Sequence, residues 1–123
     1  MNDADTTVAQ LRQMIEQFVA ERDWHQFHTP KNLAMSLAIE AAELMEHFQW
    51  LTGEESRRLA GDPKRLGAVA EELADVLCYA LAMANQLRLD LATAIRRKML
   101  KNAEKYPAAE YRGRYGPEDE GRR

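Results

Sequence analysis

In residues 31–51 and 66–87, apolar side chains return every three or four positions, and no proline interrupts either run. A strand is about 5–6 residues long with a period of two. These runs are several times longer and carry the helical period, so each reads as a rod roughly 30 Å long. A chain with two such rods must cover their apolar faces with further helices, and this excludes most β-containing architectures.

The remaining punctuation fits that reading. Thr6 or Thr7 can cap a first helix through "VAQLRQMIEQFVAERDW", and "HQFHTPKN" then breaks the pattern. Thr29-Pro30 marks the start of the second helix, expected over Lys31–Leu51 and closed by Thr52-Gly53. A short helix, "EESRRLA", precedes the breaker "GDPKRLG" and a third long helix over Leu66–Leu87. Asp90 can cap a fourth, "LATAIRRKMLKNAEKY", which stops before Pro107. No segment reads as a strand. The expected fold is all-α, an antiparallel bundle of about four main helices in one domain over residues 1–107. Residues 108–123 read as a polar, mobile tail.

Composition narrows the partners. The 123 residues carry a net charge of −3, with no basic stripe of the kind a duplex binder shows, which argues against nucleic acid. No apolar run approaches the ~20 residues of a membrane span. "MNDADTTV" lacks the charged-then-apolar pattern of a leader, so the expected compartment is the cytoplasm. A single cysteine, Cys78, rules out a disulfide framework, and "DVLCYALAM" reads as a buried helix face.

Against this background the acidic residues inside the apolar rods stand out. Residues three apart on a helix share a face, so Glu40 and Glu43 belong together in "EAAELMEHFQW". Glu72 and Asp75 repeat the device in "EELADVLCY". Packed in one bundle, the two pairs face each other across a cleft, where four carboxylates repel and need a cation at neutral pH. Oxygen-only ligands suit a hard ion, Mg²⁺ or Mn²⁺, better than zinc. A di-iron carboxylate bundle would need Glu-x-x-His twice. The residues three before His25, His28 and His47 are Arg22, His25 and Leu44, so none completes it. Isolated helical glutamates are ordinarily solvated, and Glu16, Glu21, Glu46, Glu54, Glu55 and Glu71 read that way.

The ordered set "EAAELMEHFQW", "EELADVLCYAL" and "KMLKNAEKYP" resembles the MazG-like all-α nucleoside triphosphate pyrophosphohydrolases, whose pattern is E-x-x-E, a spacer, then E-x-x-D. "ERDWHQFHTPKNL" and "FQW" bring it nearest to the dCTP pyrophosphatase branch, over roughly residues 8–107. In one departure, Ile15 stands where that branch suggests a histidine in the first helix. The resemblance implies hydrolysis of a nucleoside triphosphate to monophosphate and pyrophosphate, with dCTP or related deoxynucleotides as substrate and nucleotide-pool cleaning as the role. It implies Glu40, Glu43, Glu72 and Asp75 as Mg²⁺ ligands, and a homodimer or homotetramer with sites built across the interface.

Trp50 and Tyr79 each lie seven residues after a glutamate, two helical turns on, where a ring can stack on a nucleobase. By resemblance Trp24 and His28 join that base pocket. Lys98, Lys101 and Lys105 share a face near the end of the last helix. Such cations complement the helix C-terminus, and they can also neutralise phosphates. The family pattern favours Asn102, Lys105 and Tyr106, with Lys101, for the phosphate role. A water attacking in line needs a base, and Glu40 or Glu43 can serve, with spacing unable to choose between them. The alternatives are an all-α dUTP pyrophosphatase, a phosphoribosyl-ATP pyrophosphohydrolase, and a non-catalytic nucleotide-binding regulator.

Overall fold

Each long helix begins where a short polar side chain takes up free amides of the first turn. A computed structural model describes residues 1–114 of the chain. Helix α1 spans Val8–Glu21 and starts at Thr7, whose Oγ1 accepts from the Gln10 amide while Gln10 Oε1 accepts from the Thr7 amide. Thr29 caps α2 (Pro30–Glu46), Thr52 caps the short α3 (Gly53–Arg58), and Asp62 caps α4 (Pro63–Leu87). Asp90 accepts from the Thr93 amide at the head of α5 (Leu91–Lys105). No strand occurs among the described residues, so the fold is all-α with four main helices.

Several boundaries differ from the sequence expectation, each for a local reason. The first helix stops at Glu21 rather than Trp24, because Asp23 turns left-handed (φ 51°) and a 3₁₀ turn, Trp24–Gln26, follows. The second stops at Glu46 rather than Leu51. His47, Phe48 and Trp50 are weak helix formers, and Thr52 must be extended to cap α3, so the chain unwinds through tight turns over 47–50. Thr52-Gly53 therefore opens a helix instead of closing one. "GDPKRLG" is likewise a start signal: Asp62 caps and Pro63 occupies the first turn, so α4 begins three residues before Leu66.

By Cα packing the chain divides into two units, Met1–Leu89 and the segment from Asp90 onward. In the first, α4 is the central rod and packs along α2 and α1. Ser36 and Ile39 of α2 lie beside Tyr79 of α4 while Glu40 and Glu43 lie beside Glu72, so α2 and α4 run antiparallel. Val19, Leu33, Leu59, Ala82 and Ala84 form the buried core. At the end of α4, Arg88 is left-handed (φ 54°) and the Leu89 amide donates to the Ala84 carbonyl (3.0 Å). Arg12 of α1 clamps this end: its Nε donates to Asn85 Oδ1 (2.8 Å) and its NH1 to the Leu89 carbonyl (2.6 Å).

Cys78, expected to be buried, is exposed in the single chain. It faces α1 across an open cavity instead of packing into the core, and neighbouring Leu77 is also exposed. In the second unit α5 is followed by one further turn of helix, α6 (Ala108–Tyr111), inside the segment read as a polar tail. Residues 115–123 of that tail lie outside the described residues. Among the described residues, no helix is long and apolar enough to cross a membrane.

Candidate active site

Antiparallel packing of α2 on α4 brings the acidic faces together. One carboxylate oxygen each from Glu40, Glu43 and Glu72 lie within 4.8 Å of one another. Glu40 Oε2 and Glu72 Oε2 are shielded from solvent and have no hydrogen-bond partner. An ionised oxygen buried without a partner is costly. Two beside a third carboxylate form a donor set that a hard divalent cation would satisfy.

The titration behaviour agrees. Glu40 is pushed up to about 7 from its ordinary 4.5, first by a hydrogen bond to Glu43 that only its protonated form can make. Withdrawal from water adds to this, as do the charges of Glu43, Asp75 and Glu72. Glu72 is raised too, chiefly by loss of hydration and then by the charge of Glu43. Asp75 stands outside the close trio. It lies one turn beyond Glu72, and its charge still acts on both Glu40 and Glu72.

Asp75 also lines a cavity of about 320 Å³ that opens against α1. Met14, Ile15, Phe18 and Val19 of α1 form one wall, Cys78, Tyr79 and Ala82 of α4 another, and Trp24 and His28 a third. Trp24 meets Phe18 edge-on with centroids 5.7 Å apart and lies 6.3 Å from the His28 ring. Partial burial, reinforced by the proximity of His25, lowers the His28 pKa and favours its neutral ring. His28 and Tyr79 also border a second cavity of about 330 Å³ along α2, with Phe27, Asn32 and Ile39.

Three of the expected aromatic and imidazole residues, Trp24, Tyr79 and His28, thus share one cavity. Trp50 does not. Since α2 ends at Glu46, its ring is not carried back to the acidic face, and it is 88% exposed. Lys101, Asn102, Lys105 and Tyr106 close α5 in the second unit, where Lys105 Nζ lies 5.3 Å from the Tyr106 ring and Tyr106 meets Tyr111 edge-on. The α1 wall was missed in the sequence. Met14, Ile15 and Phe18 lie on a helical stripe, and a stripe reads the same whether it faces a core or a cavity. Glu16, read as solvated, is half-buried and pairs with His25.

A model of the MazG-like family matches residues 35–115, a span holding both acidic pairs and α5. The chain belongs to the MazG-like family. Among its relatives, dCTP pyrophosphatase 1 of Bos taurus is 42% identical over 110 residues, covering 89% of this chain and 65% of that protein. The Homo sapiens dCTP pyrophosphatase 1 is 43% identical over 104 residues, covering 85% and 61%. This MazG-like chain therefore spans just under two thirds of the length of those relatives. A pyrophosphatase from Archaeoglobus fulgidus DSM 4304, known from its crystal structure, superposes with a TM-score of 0.76 at 39% identity, covering 87% of this chain and 98% of that one. The family match covers the acidic trio and the α4 side of the cavity, while its α1 wall, Trp24 and His28 precede the matched span.

Proposed function

We propose that this chain hydrolyses nucleoside triphosphates between the α- and β-phosphates, releasing the monophosphate and pyrophosphate. The observation that carries this is a pair of partnerless carboxylate oxygens next to an apolar, aromatic-walled cavity, with Asp75 bordering both. One end suits a cation that would meet phosphates, and the other suits a base. The similarity to dCTP pyrophosphatases supports dCTP or a related deoxynucleotide as substrate, and with such a substrate the proposed role is nucleotide-pool cleaning, in the cytoplasm.

Glu40, Glu43 and Glu72 would hold Mg²⁺, or Mn²⁺ in its place, with Asp75 assigned to the same ion by motif. When bound, the ion would neutralise charge on the phosphate oxygens. A carboxylate not fully engaged, Glu40 or Glu43, takes the proton of the attacking water. Trp24, Tyr79 and His28 wall the base, and Trp50 is assigned to the same pocket by motif. Lys101, Asn102, Lys105 and Tyr106, on α5, are assigned to the outer phosphates by motif alone. The active form is a homodimer or homotetramer.

The test is a turnover panel with purified protein, Mg²⁺, the four canonical dNTPs and NTPs, dUTP and methylated dCTP, with products identified. Pyrophosphate plus monophosphate, with dCTP among the best substrates, is the expected result. Stepwise release of orthophosphate, or no turnover of any nucleotide, would refute the proposal.

A further inference from the structure

The turn between α1 and α2 supplies one wall of the cavity, Trp24 and His28, yet its helical part is only the three-residue 3₁₀ helix Trp24–Gln26, without a single buried side chain. It is entered through Asp23 in a left-handed conformation, which aspartate tolerates but does not favour. Its internal bonds are local: the Phe27 amide donates to the Trp24 carbonyl (2.9 Å), and Gln26 Nε2 to the Asp23 carbonyl (3.0 Å). Such bonds shape the turn without placing it on the bundle.

Placement comes from His25, which is not part of the cavity wall. Its Nε2 lies 2.8 Å from Glu16 Oε1 on α1, and its Nδ1 lies 3.5 Å from Gln86 Nε2 on α4. A neutral ring with its proton on Nε2 fits both neighbours, donating to the carboxylate and accepting from the amide. At the far end of the turn, Asn32 Nδ2 of α2 donates to the Phe27 carbonyl (3.0 Å). Without His25, the Trp24 end retains its edge contact with Phe18 as a tie to the bundle.

We infer that Glu16, His25 and Gln86 form a bracket that positions the Trp24 turn against α1 and α4 and so pre-shapes the cavity for its ligand. This rests on the nucleobase reading of the cavity given above. A wall free to swing must be ordered on binding, and that cost weakens affinity without touching the chemistry. The bracketing side chains are nearly half exposed, 42% for His25 and 46% for Glu16. A hydrogen bond so exposed adds little to global stability. Its loss is therefore felt in the turn rather than in the melting temperature.

The experiment compares His25→Ala, Glu16→Ala and His25→Gln in the full chain. The glutamine again offers one donor and one acceptor. Steady-state kinetics should show KM raised about fivefold in both alanine variants with kcat within about twofold, and recovery in His25→Gln. Trp50→Phe leaves Trp24 as the sole tryptophan. In that background, without nucleotide, Trp24 fluorescence should become more accessible to acrylamide in His25→Ala and return toward wild type in His25→Gln. A protein carrying both His25→Ala and Glu16→Ala should be no worse than His25→Ala, as expected of one shared contact. Unchanged quenching in a folded His25→Ala protein overturns the bracket, as does a fall in thermal stability large enough to explain the new signals. Absence of turnover in the wild type sinks the proposed function instead, and the quenching measurement still decides the bracket.

Discussion

Glu40 has its carboxyl pushed up to about 7 by Glu43, by lost hydration and by two further acids, so it holds a proton over a range where the unfolded chain has released it. In the metal-free protein, folding is therefore coupled to proton uptake between about 4.5 and 7. The stability from this group is full below pH 4.5 and is lost as pH rises through about 7. Glu72, also raised, contributes in the same direction. Thermal melts across pH should show metal-free stability declining over that window, while saturating Mg²⁺ flattens the decline. Calorimetric titration of Mg²⁺ in buffers of different ionisation enthalpy should show proton release on binding, with affinity weakening as pH falls below about 7. Substitutions separate charge from chemistry. Glu40→Gln relieves repulsion, so its metal-free form should melt a few degrees above wild type while its Mg²⁺-induced shift shrinks. Glu43→Gln and Glu72→Gln should each lower turnover at least ~100-fold with helicity by circular dichroism intact. That Glu40 and Glu43 share a face was legible from the sequence, because a three-residue spacing is a property of the helix itself. Glu72 meeting them without Asp75 depends instead on how α4 packs on α2. The place of Trp50 was not legible either. It depends on where α2 ends, and that depends on the capping demand of Thr52 downstream.

The helix starts at Thr7, Thr29 and Asp90 were legible, whereas Thr52-Gly53 and "GDPKRLG", read as an end and a breaker, open helices instead. Thr7, Thr29 and Asp90 act through side chains that reach amides two or three residues away, so the signal is complete within the local sequence. The end of α4 falls at Leu87 as expected, but what holds it there is distant in sequence. Arg12, on another helix, holds both Asn85 and the Leu89 carbonyl, and so stabilises a left-handed residue that has a Cβ. Arg88→Gly would remove that conformational cost while leaving the cap bonds of the Arg88 and Leu89 amides in place. The variant should gain about 1 kcal/mol of stability, read by urea denaturation with an unchanged m-value. No change in KM is expected, because Arg88 borders neither cavity around Tyr79.

For the whole molecule, the notable feature is how little the first unit buries. Its core is Val19, Leu33, Leu59, Ala82 and Ala84, and two of these five are alanines. Met35 and Ile39 on α2 are each more than half exposed, as is Leu77 on α4, with Leu73 close behind at 48%. Both pairs sit at i and i+4, so each forms an apolar ridge, and Ile39 and Leu73 adjoin Glu40 and Glu72 in sequence. Ridges of this kind usually mark an interface, and in the proposed homodimer or homotetramer a second copy covers them. Assembly would then wall the acidic site from solvent, and catalysis would depend on protein concentration. Leu77→Glu places a charge on the ridge without altering any carboxylate of the site. It should shift sedimentation toward monomer, lower the melting temperature and reduce turnover together, with activity recovering as concentration rises. If Leu77→Glu sediments as wild type, or yields a monomer with full turnover, the ridges are not the assembly surface and the site is complete within one chain.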